Sequence, residues 1–272
     1  MQAEIRTKTR ILIADDSSTV HGFFTSALAD WPRALELVSA YDGRQCMDML
    51  EAGDIDLAFI DINMPEMSGM EAVSVARYHG VKTFVTLMSV KATEARFEFA
   101  RRLQAYEYLV KPFGASEIEN VMRTFERVSA PTRALIVDDS ATVRRMIRKI
   151  TAASIFRITT EEVGDGRSAI DTFARGKHDI VFLDCNMPGI NGLQTLSELR
   201  ATNPNARVIM ISSERNEERV YNAMALGAVD FIYKPFGAAD VDRVLHKAYG
   251  LALPGLTAPK FQIEPQALQA SA

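Results

Sequence analysis

Cysteine and tryptophan are scarce in this chain, which has two cysteines and one tryptophan among its 272 residues. The cysteines, Cys46 and Cys185, are too few for a disulfide framework or a four-thiolate zinc site. No apolar run approaches the roughly 20 residues that cross a bilayer. Residues 1–9 also lack the apolar core of a secretion signal. We therefore expect a cytoplasmic protein without membrane insertion.

Positive charge is not in excess, because the formal net charge is −4 and charged residues make up 24% of the chain. Without a basic stripe, we expect no nucleic-acid partner. The length suits about two domains. After Gly250 the composition shifts towards Ala, Pro and Gln, so we predict that residues 251–272 form a poorly ordered tail with no folded effector.

A set of polar residues occurs twice in the sequence. Each member recurs at an offset of 123, as positions 61 and 184 show. Two unrelated scatters would not keep one offset, so we interpret the chain as a duplication. The first copy contains Asp15, Asp16, Asp61, Ser89 and Lys111, and the second contains Asp138, Asp139, Asp184, Ser212 and Lys234.

These polar residues follow short apolar runs, such as residues 11–14 before Asp15 and residues 58–60 before Asp61. Such runs suit strands buried on both faces of a parallel sheet. They alternate with amphipathic helical stripes, which predicts an α/β fold with helices on both faces. The carboxyl ends of parallel strands meet at one edge, where ligands of open α/β folds bind. We expect the polar set to converge there.

The same ten elements are predicted in each copy. In the second copy they are strands 133–137, 156–163, 179–184, 206–212 and 229–233 and helices 141–152, 166–176, 192–201, 215–226 and 238–249. Ser17 and Ser140 are expected to cap the first helices, and Gly43 and Gly166 mark turns into the second. The predicted parts are an N-terminal extension, a first domain, a linker, a second domain and the tail, at residues 1–9, 10–128, 129–132, 133–250 and 251–272.

Three carboxylates at one sheet edge repel each other and need a cation. Oxygen ligands of this kind suit Mg²⁺, which is commonly held by one or two carboxylates and retains sites for water and phosphate. An asparagine two residues after the third acid would add its backbone carbonyl. The candidate magnesium residues are Asp15, Asp16, Asp61 and Asn63 in the first copy and Asp138, Asp139, Asp184 and Asn186 in the second.

A carboxylate can attack phosphorus and form an acyl phosphate. Such transfer needs positive charge near the equatorial phosphoryl oxygens, a role that Lys111 and Lys234 fit. Ser89 and Ser212 could donate a hydrogen bond to a phosphoryl oxygen. Each residue alone is better explained as a turn, a cap or a solvated side chain, but the complete set, present twice, favours a phosphoryl-accepting site.

The pattern resembles the receiver domain of two-component response regulators, the CheY-like family. The matching stretches are Ile-Ala-Asp-Asp-Ser and Ile-Val-Asp-Asp-Ser, Asp-Ile-Asn-Met-Pro and Asp-Cys-Asn-Met-Pro, and Lys-Pro-Phe-Gly in both copies. The resemblance implies two tandem flavodoxin-like (βα)5 domains with strand order 2-1-3-4-5. It also implies that Asp61 and Asp184 accept phosphoryl groups from a sensor histidine kinase or a histidine phosphotransfer protein. The bonds Lys111-Pro112 and Lys234-Pro235 would be cis.

The resemblance further implies a switch, in which Tyr108 or Phe231 turns inward after phosphorylation, although core packing explains both aromatics equally well. Output would pass through protein contacts with an unknown downstream target, or the chain would be the input half of a longer regulator such as a diguanylate cyclase. Pairing of receivers within the chain or as a dimer stays open.

The two copies differ beside the site. Val90 and Lys91 of the first stand where the second has Ser213 and Glu214, and Gln104 replaces the glycine found at position 227. Because a β-branched valine could narrow the entrance, we expect the second copy to be phosphorylated more readily.

A magnesium-dependent phosphohydrolase of the haloacid dehalogenase type is the main alternative, since it also uses Asp, Ser or Thr, Lys and magnesium. Those enzymes usually carry a second Asp two residues after the nucleophile, where this chain has Asn63 and Asn186. We therefore expect a regulatory phosphoacceptor and not an enzyme acting on other substrates. A scaffold with vestigial sites is a third interpretation.

Overall fold

A computed structural model describes residues 8–251 and residue 253 of the chain. The first half contains β1 (Thr9–Ala14), α1 (Ser18–Ala27), β2 (Leu35–Ala40), α2 (Gly43–Glu51), β3 (Leu57–Asp61), α3 (Gly69–Tyr78), β4 (Phe84–Ser89), α4 (Glu94–Arg102), β5 (Glu107–Val110) and α5 (Ala115–Ser129). The second contains β6 (Thr132–Val137), α6 (Ala141–Ala153), β7 (Ile158–Val163), α7 (Gly166–Arg175), β8 (Ile180–Asp184), α8 (Gly192–Thr202), β9 (Arg207–Ser212), α9 (Glu217–Ala225), β10 (Asp230–Tyr233) and α10 (Ala238–Ala248).

Each half forms one parallel five-stranded sheet. The strand orders are β2-β1-β3-β4-β5 and β7-β6-β8-β9-β10, so the predicted flavodoxin-like order 2-1-3-4-5 is confirmed twice. Ala14 pairs with Ile60 and Val137 pairs with Leu183. This register places the acids that follow β1 and β6 beside the acids that end β3 and β8.

Alternate residues of each central strand pack on opposite faces of the sheet. In β1, Leu12 lies in the cluster shared with α2, α3 and α4, whereas Ile13 lies in the cluster shared with α1 and α5. All five residues of β3 are buried, as are those of β8. Burial on both faces explains the continuous apolar runs. It also fixes the strand ends from which the polar set projects.

The predicted second-copy elements lie within two residues of the observed bounds, but the capping prediction was wrong in its mechanism. Ser17 and Ser140 occupy the N-cap positions of α1 and α6, yet their side chains make no capping hydrogen bond. Instead their backbone N–H groups donate to Oδ1 of Asp15 (3.0 Å) and Asp138 (2.9 Å). The strand-end acids therefore order these turns.

Gly43 and Gly166 are the first residues of α2 and α7, as the turn prediction requires. Their role is close approach. A Cβ on Gly43 would overlap the backbone oxygen of Met67, and one on Gly166 would overlap the Thr195 hydroxyl. The second helix of each unit can therefore pack against the third only because this position has no side chain.

The residues divide into two compact units between Phe125 and Glu126, which lies inside α5. Helix α5 ends at Ser129 and β6 begins at Thr132, so both ends of the predicted linker 129–132 fall in regular elements. The predicted extension up to residue 7 and the predicted tail, apart from residues 251 and 253, lie outside the described residues. Among the described helices, none has the length and apolar character that a bilayer span demands.

Candidate functional site

The predicted acids of the second unit lie together at the carboxyl edge of its sheet. Oxygens of Asp138, Asp139 and Asp184 all lie within 4.8 Å of one another. Asp138 and Asp184 are buried, whereas Asp139 is exposed. The edge therefore has two fixed carboxylates and a third that faces solvent.

A lysine connects the two buried acids in each unit. In the second, Lys234 Nζ lies 2.8 Å from Asp138 Oδ2 and 2.9 Å from Asp184 Oδ1. In the first, Lys111 Nζ lies 2.5 Å from Asp15 Oδ2 and 3.2 Å from Asp61 Oδ1. Both lysines precede prolines through cis peptide bonds, as the resemblance implied. Asp16, like Asp139, is exposed.

The candidate acceptors are buried carboxyls with perturbed acidity. Burial raises the pKa of Asp61 and of Asp184, and the neighbouring acid Asp15 or Asp138 adds to the increase, while the lysine opposes it. Burial alone would lower the lysine pKa, but the adjacent carboxylates outweigh it and the pKa is raised. Each lysine is thus a fixed cation.

One ammonium does not balance three carboxylates. The raised acceptor pKa shows that, with the lysine in place, the ionised acid is still penalised. A divalent cation bound by oxygen ligands would remove that penalty, and the grouped oxygens of Asp138, Asp139 and Asp184 fit Mg²⁺ in chemistry and spacing.

Ser89 and Ser212 end β4 and β9, and both are buried. The Ser212 hydroxyl donates to the backbone oxygen of Glu214 (2.9 Å) and accepts from its N–H (3.1 Å). Ser89 Oγ accepts from the backbone N–H of Lys91 at 3.3 Å. The structure thus places both serines at the same sheet edge as the acids.

An arginine in each unit, which the sequence analysis did not identify, contacts the predicted set. Arg96 on α4 donates to Ser89 Oγ (2.6 Å) and Asn63 Oδ1 (3.3 Å). Arg219 on α9 donates to Asn186 Oδ1 at 2.7 Å. Positions 96 and 219 share the offset of the duplication, so a comparison of the two copies would have identified both arginines.

The predicted switch aromatics do not contact the acids in the described geometry. Tyr108 is buried, and its hydroxyl donates to the backbone oxygen of Lys91 at 2.5 Å. Phe231 is buried and stacks on Tyr233 with 6.1 Å between ring centroids. Tyr108 is therefore joined to the loop that follows Ser89, whereas Phe231 packs in the core.

The loop after each acceptor returns closely to its strand. The Gly69 N–H donates to the Ile62 oxygen (3.0 Å), and the Gly192 N–H donates to the Cys185 oxygen (3.1 Å). A Cβ on Gly69 would overlap the backbone oxygen of Asp61, and one on Gly192 would overlap that of Asp184. These glycines hold the acceptor loops tightly closed.

The cysteines are free and buried. Burial raises the pKa of the Cys46 thiol to about 12 and that of Cys185 to about 11. The thiolate is the reactive form of cysteine. Because its pKa is raised by burial and by the neighbouring Asp184, the Cys185 thiol has little reactivity.

Comparison with known proteins gives matches to each half of the chain. A family model described as the response regulator receiver domain matches residues 11–123 and again residues 134–246. Chemotaxis protein CheY of Listeria monocytogenes is 40% identical over 116 residues, 43% of this chain and 97% of that protein. CheY of Thermotoga maritima is 36% identical over 115 residues, 42% of this chain and 95% of that protein. A crystal structure of a putative two-component system response regulator/GGDEF domain protein covers 89% of this chain and 99% of its own, with a TM-score of 0.63 at 23% identity, a likeness of fold.

Proposed function

Because both halves of the chain belong to the response regulator receiver domain family, we propose that it is a tandem receiver of a cytoplasmic phosphorelay, with phosphoryl groups accepted on Asp61 and Asp184. One observation supports this most. In each unit a buried aspartate is joined by a lysine ammonium to a second buried acid. A buried serine ends the adjacent strand at the same edge.

Magnesium would be held by the acid pair after the first strand, the acceptor aspartate and the backbone carbonyl of Asn63 or Asn186. When bound, it would neutralise charge on the phosphoryl oxygens. The side-chain oxygens of both asparagines already accept from arginines, which agrees with the carbonyl as the ligand.

The proposed transfer follows from the geometry of the acceptor. A carboxylate oxygen of Asp61 or Asp184 attacks the phosphorus of a phosphohistidine, the P–N bond breaks, and the imidazole leaves with the electron pair and takes up a proton. The lysine contacts a phosphoryl oxygen once the acceptor carboxylate has formed the acyl phosphate, and the serine hydroxyl donates to another. Water later attacks the acyl phosphate, releasing inorganic phosphate and restoring the carboxylate.

Signal output follows from the added charge of about −1.5 to −2 at one point. In the first unit, movement of Ser89 would act on the Lys91 oxygen that holds the Tyr108 hydroxyl. Phe231 would respond in the second. A shift from 1:99 to 99:1 needs about 5.5 kcal/mol of differential stabilisation, so we expect a population shift. The output reaches a partner protein, or an effector such as a diguanylate cyclase in a longer regulator.

The proposal is tested by phosphoryl labelling of the full chain with acetyl phosphate and Mg²⁺, followed by intact mass. Asp61→Asn and Asp184→Asn should each gain one phosphoryl group, and the double variant none. Asp48→Asn, an exposed carboxyl on α2, should label like the parent. We expect Asp184 to label faster than Asp61.

Two results would contradict the proposal. Undiminished labelling of the double variant would remove the acceptors from their assigned role. Steady hydrolysis of a phosphomonoester in large excess over protein would favour the phosphohydrolase alternative. Faster labelling of Asp61 would reject only the expected order of the two units.

A further inference from the structure

Arg96 is joined to both loops that flank the candidate acceptor of the first unit. It lies in the first half of α4. Its Nη1 donates to Ser89 Oγ at 2.6 Å and to the Lys91 oxygen at 3.4 Å, and its Nη2 donates to Asn63 Oδ1 at 3.3 Å. Asn63 follows the acceptor by two residues, and Ser89 is the residue proposed to donate a hydrogen bond to a phosphoryl oxygen. The guanidinium therefore lies beside the position that a phosphoryl group would occupy.

Arg219 has the same position in the second unit but a different neighbour. Its Nη1 donates to Asn186 Oδ1 at 2.7 Å and lies 3.4 Å from Glu214 Oε2. The Ser212 hydroxyl is engaged by the Glu214 backbone. The first unit has Lys91 in place of Glu214, so the carboxylate that competes for the arginine belongs to the second unit.

The oxygens that Arg96 contacts are all neutral: a hydroxyl, an amide and a backbone carbonyl. A phosphoryl group brings negative charge to hydrogen bonds whose donor is already a cation, and the planar guanidinium fork can bind two phosphoryl oxygens at once. A phosphoryl group arriving beside Ser89 and Asn63 would displace the present hydrogen-bond partners of Arg96.

We propose that Arg96 and Arg219 bind the transferred phosphoryl group directly, and that Glu214 restrains Arg219 in the second unit. This inference rests on the proposed function. On phosphorylation the Arg96 N–H groups move from neutral oxygens to phosphoryl oxygens, and those of Arg219 move from Asn186 and Glu214. Because Arg96 leaves the loop that carries Asn63, the same exchange would release that loop and draw α4 towards the acceptor.

Beryllofluoride binding with saturating Mg²⁺ tests the first unit, in full chains carrying Asp184→Asn so that one site remains. Titration is followed by NMR. Arg96→Gln should weaken beryllofluoride binding about tenfold, the scale of a lost charge-assisted hydrogen bond. Arg96→Lys, which keeps the charge and loses the fork, should weaken it less. Arg102→Gln, at an exposed arginine of the same helix that pairs with Glu98, should bind like the parent.

Magnesium affinity without beryllofluoride separates ligand binding from folding. Arg96→Gln should leave it unchanged or tighter, since removal of a nearby cation favours another cation. A merely structural arginine would weaken magnesium and beryllofluoride binding together when removed.

The restraint by Glu214 is tested with Asp61→Asn chains. Glu214→Gln should tighten beryllofluoride binding roughly twofold to fivefold, the scale of a surface ion pair. Part of that gain comes from removing a negative charge near an anion, so Glu214→Gln is also made in a chain that carries Arg219→Gln. The restraint predicts a smaller gain there. Lys91→Glu in the first unit should weaken beryllofluoride binding, and the loss should be smaller in a chain that also carries Arg96→Gln.

Unchanged beryllofluoride affinity in Arg96→Gln would overturn the inference while leaving Asp61 an acceptor. Equal losses in Arg96→Gln and Arg102→Gln would do the same. A gain for Glu214→Gln that persists fully beside Arg219→Gln would remove the restraint. If the parent neither binds beryllofluoride nor labels on Asp61, the proposed function fails first.

Discussion

Asp184, the proposed acceptor of the second unit, has a buried carboxyl whose ionised form is penalised. Burial holds the pKa of its carboxyl above the ordinary value of 3.8. The folded state therefore binds its proton more tightly than the unfolded state does. Well below the ordinary value of 3.8 the group is neutral in both states and carries no penalty. As the pH rises through the raised folded pKa, ionisation lowers the free energy of unfolding.

We expect Asp184→Asn to stabilise the second unit at pH 7 without divalent ions, because the amide removes a penalised charge. Urea unfolding of the full chain in EDTA checks this, and the gain should shrink as the pH falls towards and below the ordinary value of 3.8. A variant less stable than the parent at pH 7 would show that the Lys234 contacts outweigh the penalty.

Asp230 gives the matched control in the same unit. Burial alone would raise its pKa, but a backbone hydrogen bond at Phe231 and the Arg243 guanidinium outweigh it and the pKa is lowered. Its stabilising effect is present above the ordinary value and is lost as pH falls through the folded value. Asp230→Asn should therefore destabilise the unit at pH 7.

The acids, lysines and serines could be predicted because each stands at the end of an apolar strand, where a polar side chain needs an explanation. Arg96 could not be recognised in that way. It lies in a helix among exposed charged residues such as Glu94, Glu98 and Arg102, where an arginine suggests a solvated side chain. What distinguishes it is the arginine at the same offset in the second copy, Arg219, and the tertiary contact with Ser89.

Helix ends show a second difference between the units. Gln104 follows α4 with φ 53°, and Gly227 follows α9 with φ 92°. A side chain in the left-handed region costs about 1–2 kcal/mol, and glycine avoids that cost. The same turn is therefore strained in the first unit and relaxed in the second.

We expect Gln104→Gly to raise the free energy of unfolding of the first unit by about 1 kcal/mol. The reverse change, Gly227→Gln, should destabilise the second unit by about 1–2 kcal/mol. A Cβ there would lie 2.7 Å from Arg200 Nε, but that flexible side chain can move aside. Urea unfolding of both variants gives the comparison, and a loss of stability in Gln104→Gly would refute the strain.

Element order and bounds followed from the alternation of apolar runs and stripes, but helix capping did not. A serine before α1 suggested a side-chain cap at Ser17, but the Ser17 side chain makes no capping hydrogen bond. In α2, by contrast, the side chain of Asp42 does cap the helix. Asp15 already bonds the Ser17 N–H. Whether the Ser17 hydroxyl or the Asp15 carboxylate orders this turn depends on local backbone geometry, which residue type alone does not specify.

At the scale of the whole molecule, α5 contributes residues to both compact units. Val121 packs in the core of the first. In the second, Val128 is 2% exposed and its backbone oxygen accepts from the Arg157 N–H at 2.9 Å. The Arg127 guanidinium lies 3.5 Å from the centre of the Tyr249 ring. The sequence predicted the boundary as a linker at residues 129–132, because the extent of tertiary contacts cannot be seen in the local sequence.

Val121→Ala and Val128→Ala make the same change seven positions apart in one helix. We expect each to cost about 2 kcal/mol, the first mainly in unit one and the second mainly in unit two. Hydrogen exchange of the β3 and β8 amides in the full chain measures the two effects separately. Equal loss of protection in both strands for either variant would contradict the division inside α5.

Every site contact described above joins residues of a single unit. If both acceptors react, the polypeptide has four chemical forms: unmodified, marked on either aspartate, or marked on both. A binding partner sensitive to one mark would report one input. A partner that requires both marks would respond only when both inputs are present. A single chain would then combine two signals without a second receiver molecule.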